Sequence, residues 1–236
     1  MAIITYERIQ KGEYRFYKQL ADGQPTGQEY VSVTSCLSIL PKPGIILWAV
    51  MQTVKYIAQK KSLSDKILGE AFHFHKQLLA LLANEGTEDH NNIEHYLKTG
   101  EVVDPEDTSL KRFFQWEKES GFQMEATELM LGNDKLRSAG TADLIGHCSG
   151  VGMVIDLKTS KAIRLSHKIQ AVVYKYMYGE HQRKAGILLI PRDAKKKWEF
   201  YILTDEEEKT YLKIYFLLSQ LFYILWDLGE IDPNRK

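Results

Sequence analysis

Hydrophobic and polar positions near the N-terminus alternate with a period of two, which is typical of a half-buried strand. Segments 2–9 and 13–20 carry this pattern and predict a β-hairpin, followed by a turn-rich stretch at 21–28. The next residues predict the end of a strand and a short helix capped at Thr34 or Ser35. Beyond them the period lengthens to that of a helix, and four helices are predicted at 45–60, 65–83, 89–98 and 107–120.

The second half of the chain returns to strand patterns. Strands are predicted at 123–131, 140–147, 152–158, 185–191 and 197–203, with one helix at 166–181 and a long final helix from about Asp205. This order predicts an α/β or α+β fold in which helices flank a central mixed β-sheet. We expect a single domain made of an N-terminal hairpin appendage, a mainly helical part, a sheet core and a C-terminal helix (1–30, 31–122, 123–204 and 205–236).

Composition narrows the class of protein. The chain has 236 residues, of which 44% are hydrophobic and 26% charged, as in soluble globular proteins. Its two cysteines, Cys36 and Cys148, can form neither a disulfide framework nor a four-cysteine iron–sulfur cluster. No apolar run approaches 18 residues and no signal peptide is recognisable, so we expect no membrane partner.

The net charge is zero, but the charges are unevenly distributed. Segment 85–107 has eight acidic residues and one basic residue, whereas segment 158–197 has eleven basic residues and two acidic ones. A basic face next to carboxylates suits a polyanionic substrate that needs a metal ion. The alternative is an ordinary solvated surface, and charge alone favours that alternative.

Two carboxylates lie in consecutive predicted strands. If the hairpin turns at Ser149-Gly150, Asp143 and Asp156 lie directly opposite each other, where like charges repel. A divalent cation would compensate this repulsion, since Mg²⁺ and Mn²⁺ prefer carboxylate oxygens. Lys158 projects from the same strand face as Asp156. The alternative is that Asp143 is a strand-end turn residue and that Asp156 and Lys158 form a surface ion pair.

The ordered motifs resemble the PD-(D/E)xK nuclease superfamily, in particular its RecB-type exonuclease branch. The resemblance rests on G-T-A-D at 140–143, D-L-K at 156–158 and Q-A-V-V-Y at 170–174. Three upstream segments also resemble phage and mitochondrial members: Y-V-S-V-T at 30–34, G-E-A-F-H at 69–73 and A-T-E-L-M-L at 126–131. The resemblance implies a restriction-endonuclease-like core.

The resemblance also implies roles for individual residues. Asp143, Asp156 and the carbonyl of Leu157 would bind a metal ion, with Lys158 acting on water or on the scissile phosphate. His73 would be a fourth ligand, although Glu70 replaces the usual threonine of that motif and could itself supply an acid. His75 lies about 200° from His73 on a helix, so only one of them can face the site. It further implies that Gln170 and Tyr174 lie against the site and that Glu128 supports it, the alternatives being a core role for Tyr174 and a strand-surface charge for Glu128. From their position just past the strand, Lys161, Arg164 and Lys168 suit phosphate contacts, or else form a solvated helix entry.

The activity implied by the resemblance is Mg²⁺- or Mn²⁺-dependent hydrolysis of DNA phosphodiester bonds, with exonuclease action on single- or double-stranded ends. The alternatives are a catalytically silent protein that binds DNA ends, a structure-specific endonuclease, and a toroidal oligomeric exonuclease like that of phage lambda. RNA remains open as a substrate. The resemblance implies a role in phage or bacterial recombination, repair or replication, and a location in the cytoplasm.

Overall fold

The computed structural model of the protein describes residues 2–41, 43–60, 62, 64–191 and 196–231. Met1 and 232–236, at the outer ends of the predicted hairpin and C-terminal segments, lie outside the described residues. The chain divides into two compact units. A sheet unit contains Met1–Ile39 and Asn92–Lys236, and a helical unit contains Leu40–Asn91.

The sheet unit begins with three antiparallel strands, β1 (Ile4–Lys11), β2 (Tyr14–Ala21) and β3 (Gln24–Ser32). The predicted strand end after the turn-rich stretch is the end of β3, and the prediction was incomplete because β3 begins within that stretch. Asp22 and Gly23 both have positive φ, of 49° and 78°, and form a two-residue turn between β2 and β3. Pro25 lies within β3, although proline disfavours strands because it has no backbone N–H to donate.

The remaining strands match the predicted ones to within a few residues. They are β4 (Phe122–Asn133), β5 (Ser138–Cys148), β6 (Val151–Lys158), β7 (Lys184–Leu189) and β8 (Glu199–Ile202). In the described part of the chain, eight strands form one mixed sheet in which β6 and β7 are parallel and the β4–β5, β5–β6 and β7–β8 pairs are antiparallel. The α/β architecture with a mixed sheet flanked by helices is confirmed.

One edge of β5 is shared by two strands. Because β4 pairs with β5 along its whole length, β3 and β6 must both use the other edge. β3 pairs there only with Ser138 and Ala139, and β6 pairs only from Leu144 onward. Within the described chain, residues 140–143 therefore have no strand partner on that edge.

Helices cover both faces of the sheet. On one face, α4 (Thr108–Ser120) contributes Phe113 and Trp116 to a cluster that includes Ile155 and Leu157 of β6. On the other face lie α5 (Leu165–Tyr178) and α6 (Asp205–Asp227), which enclose Ile187 of β7. The charged positions of β6 alternate with its apolar positions, so they point toward the side of the sheet that α5 covers.

The helical segments differ from their prediction at two points. The short helix α1 (Val33–Leu37) is capped by Ser32, whose hydroxyl accepts a hydrogen bond from the Ser35 amide, and not by Thr34 or Ser35. The two helices predicted at 65–83 and 89–98 form one continuous helix, α3 (Asp65–Thr99). Gly86 does not break it, since one helical glycine costs only about 1 kcal/mol relative to alanine.

The helical unit contains α2 (Pro43–Ala58) and most of α3. Within it, Tyr56 packs on Phe74 with ring centroids 4.7 Å apart. None of the helices described is long and apolar enough to cross a membrane.

Candidate functional site

The hairpin of β5 and β6 has the predicted register. Leu144 pairs with Ile155 and Ile145 with Val154, around a turn in which Ser149 and Gly150 both have positive φ. Asp143 and Asp156 are the next residues in this register, but the ladder ends before them. Asp143 lies in the unpaired part of the β5 edge, and its Oδ2 accepts a hydrogen bond of 2.7 Å from the Leu157 amide.

Lys158 brings the two predicted carboxylates together. Its Nζ donates to Asp156 Oδ1 at 2.7 Å and lies 3.8 Å from Asp143 Oδ2. It also donates to the Leu157 carbonyl at 3.1 Å. Three of the predicted ligands, namely Asp143, Asp156 and the Leu157 carbonyl, thus surround the Nζ atom of the predicted lysine. The alternative of a surface ion pair is wrong, since the Asp156 side chain is fully buried.

The electrostatics of this cluster are unusual. Burial raises the pKa of Asp156 above its usual range; the positive charge of Lys158 opposes this effect and the charge of Asp143 adds to it. Burial also opposes the charge on Lys158, but Asp156 and Asp143 outweigh it and raise the lysine pKa. The lysine therefore stays an ammonium group between two carboxyl groups.

The free oxygen of Asp156 fits a cation. Asp156 Oδ2 is buried and accepts no hydrogen bond from any residue that the structure describes. An unpaired carboxylate oxygen is costly in a buried place unless a cation or a proton satisfies it. The donor set around it consists of hard oxygens, from Asp143, Asp156 and the Leu157 carbonyl, which suit Mg²⁺ or Mn²⁺.

Glu128 of β4 faces the same cluster. It lies opposite Asp143 in the register of β4 and β5, and the two side chains have ligand oxygens within 4.8 Å of each other. Burial, followed by the charge of Asp143, raises the pKa of Glu128 to about 7. Its φ of 50° is unfavourable for a residue with a side chain. Strain of this kind is typical of functional positions.

Tyr174 of α5 packs against the open edge of β5. A Cβ on Gly140 would lie 2.7 Å from the Tyr174 ring, so glycine is required for this approach. The Tyr174 hydroxyl is the partner of Gln170 Nε2 at 3.4 Å. Burial, followed by the charges of Asp143 and Asp156, raises the Tyr174 pKa well above its ordinary value. The hydroxyl is therefore protonated and can donate toward the carboxylates.

Sequence reasoning missed one residue of this region, His167. Burial, with the positive charges of Lys158 and Arg164, lowers its pKa to about 3, so the imidazole is neutral. Its Nδ1 accepts a hydrogen bond from the Arg164 amide. The sequence did contain one signal for His167. It lies three positions before Gln170, so the two residues share one face of a helix.

The predicted basic residues differ in their surroundings. Lys161 and Arg164 are exposed and follow β6. Lys168, in contrast, is held within the protein, because its Nζ lies 3.1 Å from both Glu207 Oε1 and Tyr201 Oη. Its charge is therefore balanced internally, whereas those of Lys161 and Arg164 face solvent.

The predicted histidine motif lies on α3, in the helical unit. His73 is exposed, and its ring packs edge-on against Phe72. Glu70, the residue that departs from the family motif, accepts a hydrogen bond of 2.7 Å from the Tyr56 hydroxyl. Glu70 is thus engaged within the helical unit.

Comparison with known proteins gives no family assignment. No family model and no curated protein matches the chain. Among solved structures, one similar chain is described as "Crystal structure of SSO0001", with 15% sequence identity and a TM-score of 0.33. The match covers 75% of this chain and 86% of that one.

Proposed function

We propose that the protein is a metal-dependent deoxyribonuclease with a restriction-endonuclease-like core, which acts as an exonuclease on DNA ends. One observation carries the proposal: a buried aspartate with an unpaired oxygen lies beside a second aspartate and a lysine, at the open edge of a sheet. This arrangement matches the order of motifs G-T-A-D, D-L-K and Q-A-V-V-Y in the sequence.

Asp143, Asp156 and the Leu157 carbonyl would hold the cation, and the resemblance assigns a further ligand role to His73. A bound Mg²⁺ or Mn²⁺ lowers the pKa of water and polarises a phosphoryl oxygen. Lys158 can stabilise negative charge that develops on the scissile phosphate. Tyr174 stays protonated and packs against the edge of β5. Gln170 donates a hydrogen bond that orients the tyrosine hydroxyl.

The exposed cations Lys161 and Arg164 follow directly after β6, so they can contact phosphates of the bound strand. Contacts of this type do not depend on base sequence and weaken with salt. We therefore expect cleavage without strong sequence preference, and we expect Lys161→Ala to raise KM with little change in kcat.

The experiment is digestion of end-labelled single- and double-stranded DNA in the presence of Mn²⁺. The variant Asp156→Asn keeps the size of the side chain but removes its charge, and we expect a loss of at least about 100-fold in rate. The matched control is Asp104→Asn, because Asp104 is an exposed aspartate outside the cluster. Equal rates for wild type and Asp156→Asn would contradict the proposal.

Two further outcomes separate the alternatives. Binding of DNA ends without cleavage by the wild type would identify a catalytically silent end-binding protein. Cleavage of covalently closed circular DNA would identify an endonuclease, since an exonuclease needs an end.

A further inference from the structure

The C-terminal helix α6 has two apolar faces. Tyr215, Ser219 and Phe222 are buried against the rest of the sheet unit. On the opposite side, four large aliphatic residues are 45 to 69% exposed: Leu217, Leu221, Ile224 and the C-cap residue Leu228. A helix that covers only its own domain is expected to have a polar outer face. The outer face of α6 therefore lacks the composition of a solvated surface.

The spacing of the outer face indicates the shape of its partner. The four residues are separated by four, three and four positions, which is the a/d repeat of a coiled coil. Such a seam accepts the side chains of another helix with the same repeat, as knobs into holes. A second copy of α6 has that repeat.

The charges beside the seam favour a particular orientation. Lys213, Gln220 and Asp227 are exposed, lie seven residues apart and follow one side of the seam. If two copies of α6 cross antiparallel about a two-fold axis at Gln220, Lys213 faces the partner's Asp227 at both ends. In a parallel pair Lys213 would instead lie beside the apolar Leu218 of the partner. Neither Lys213 nor Asp227 forms an ion pair with another part of the described chain.

We propose that the outer face of α6 is a homodimer interface in which two copies of the helix pack antiparallel. The seam from Leu217 to Leu228 is about 17 Å long, at 1.5 Å per residue. A contact of this length buries less than the roughly 1,200 Å² of a standard stable interface. The expected dimer is therefore weak and reversible, with a Kd on the order of 10 μM.

The test is sedimentation velocity of the full chain over a concentration range from about 1 to 200 μM, which brackets that Kd. We expect the wild type to shift from monomer to dimer and Leu221→Lys to remain monomeric. Leu68→Lys is the matched control, because Leu68 is an exposed leucine of equal accessibility on α3, 46% against 45% for Leu221. It should dimerise like the wild type. Far-UV circular dichroism checks that both variants are folded.

A charge exchange tests the orientation. Lys213→Glu and Asp227→Lys should each weaken the dimer about 10-fold through like-charge contacts at both ends of the seam. The double variant restores two opposite-charge pairs and should regain the wild-type Kd. Failure of the double variant to regain it would overturn the antiparallel arrangement.

Three other results would overturn the proposal as a whole. One is a wild type that stays monomeric at the highest concentration. Another is self-association that persists in Leu221→Lys. The third is a monomer that binds neutral phospholipid vesicles through this face, with binding lost in Leu221→Lys, since the partner would then be a lipid surface.

Discussion

At the scale of single residues, the candidate site places three carboxyl groups around one ammonium group. Lys158 contacts Asp156 and Asp143, and Glu128 adds a third carboxyl group with a raised pKa. Such a cluster is destabilising by itself, since the acidic groups repel one another and are removed from water. The proposed metal ion would offset part of this repulsion.

Gly140 should be intolerant of any side chain. Because a Cβ there would lie 2.7 Å from the Tyr174 ring, Gly140→Ala should lower the free energy of unfolding by about 1–3 kcal/mol. Urea denaturation measures this change. The control is Gly69→Ala in α3, where a Cβ meets no atom within 4 Å and the substitution should stabilise by about 0.5–1 kcal/mol. Equal stability of Gly140→Ala and the wild type would contradict the packing described here.

The strained backbone of Glu128 predicts opposite effects on stability and activity. Glu128→Gly relieves the positive φ and should be about 1 kcal/mol more stable than Glu128→Ala, which keeps the strain. Both variants lack the carboxylate, so both should lose at least about 10-fold in nuclease rate. Thermal unfolding and DNA digestion of the two proteins check the two halves of this prediction. Equal stability of the two variants would contradict strain at this position.

At the scale of elements, the segments with strong local signals were predicted well. Asp107 caps α4 by accepting from the Ser109 and Leu110 amides, and Gly121 ends it in the left-handed region. The Ser149-Gly150 turn likewise determines the register of β5 and β6. Both signals involve residues close in sequence. The end of β3 was predicted, but its first part was missed because Pro25 and Gly27 argue against a strand, although the Asp22-Gly23 pair is a strong hairpin signal.

The first turn of α6 predicts a pH dependence of stability. Hydrogen bonds from Tyr201 and from the Thr204 backbone lower the Glu207 pKa to about 2, and Lys168 adds to the effect. A lowered pKa stabilises the protein above the unfolded value of about 4.3. This stabilisation is lost as the pH falls from about 4.3 toward 2.

The variant Glu207→Gln should therefore be about 1–2 kcal/mol less stable than the wild type at pH 7, and the difference should vanish near pH 2. Urea denaturation across this pH range provides the measurement. Glu206→Gln is the matched control, because Glu206 is exposed in the same turn. A difference between Glu207→Gln and the wild type that does not depend on pH would exclude the carboxylate as its cause.

At the scale of the whole molecule, the site depends on contacts that local patterns cannot predict. Ser32 and Ala139 pair in parallel although about a hundred residues separate them in the sequence. The carboxylate pair was predictable, because Asp143 and Asp156 belong to one hairpin with a recognisable turn. The raised pKa of Glu128 and the lowered pKa of His167 depend on burial and on charged neighbours from other elements, which the sequence alone does not reveal.

Metal binding should be visible in the stability of the whole protein. A ligand that binds only the folded state stabilises it by about 2.7 kcal/mol at a concentration of 100 times its Kd. Mn²⁺ should therefore raise the Tm of the wild type and of Asp104→Asn, but not that of Asp156→Asn. His73→Ala should respond at higher Mn²⁺ concentration if this histidine is a ligand. An equal rise in Asp156→Asn would place the metal ion elsewhere.

The edge of β5 is unpaired between β3 and β6, and this gap affects which sequence changes the fold can accept. The β3–β5 and β5–β6 hydrogen-bond ladders lie on either side of this gap at residues 140–143. The width of the gap is therefore determined by where each ladder stops. Side-chain substitutions can change which groups line this gap but leave it open. Extending either ladder by a few residues would pair the β5 edge and close the gap. Insertions and deletions near Ser32 or Ile155 are therefore expected to change the width of this gap more than side-chain substitutions within it.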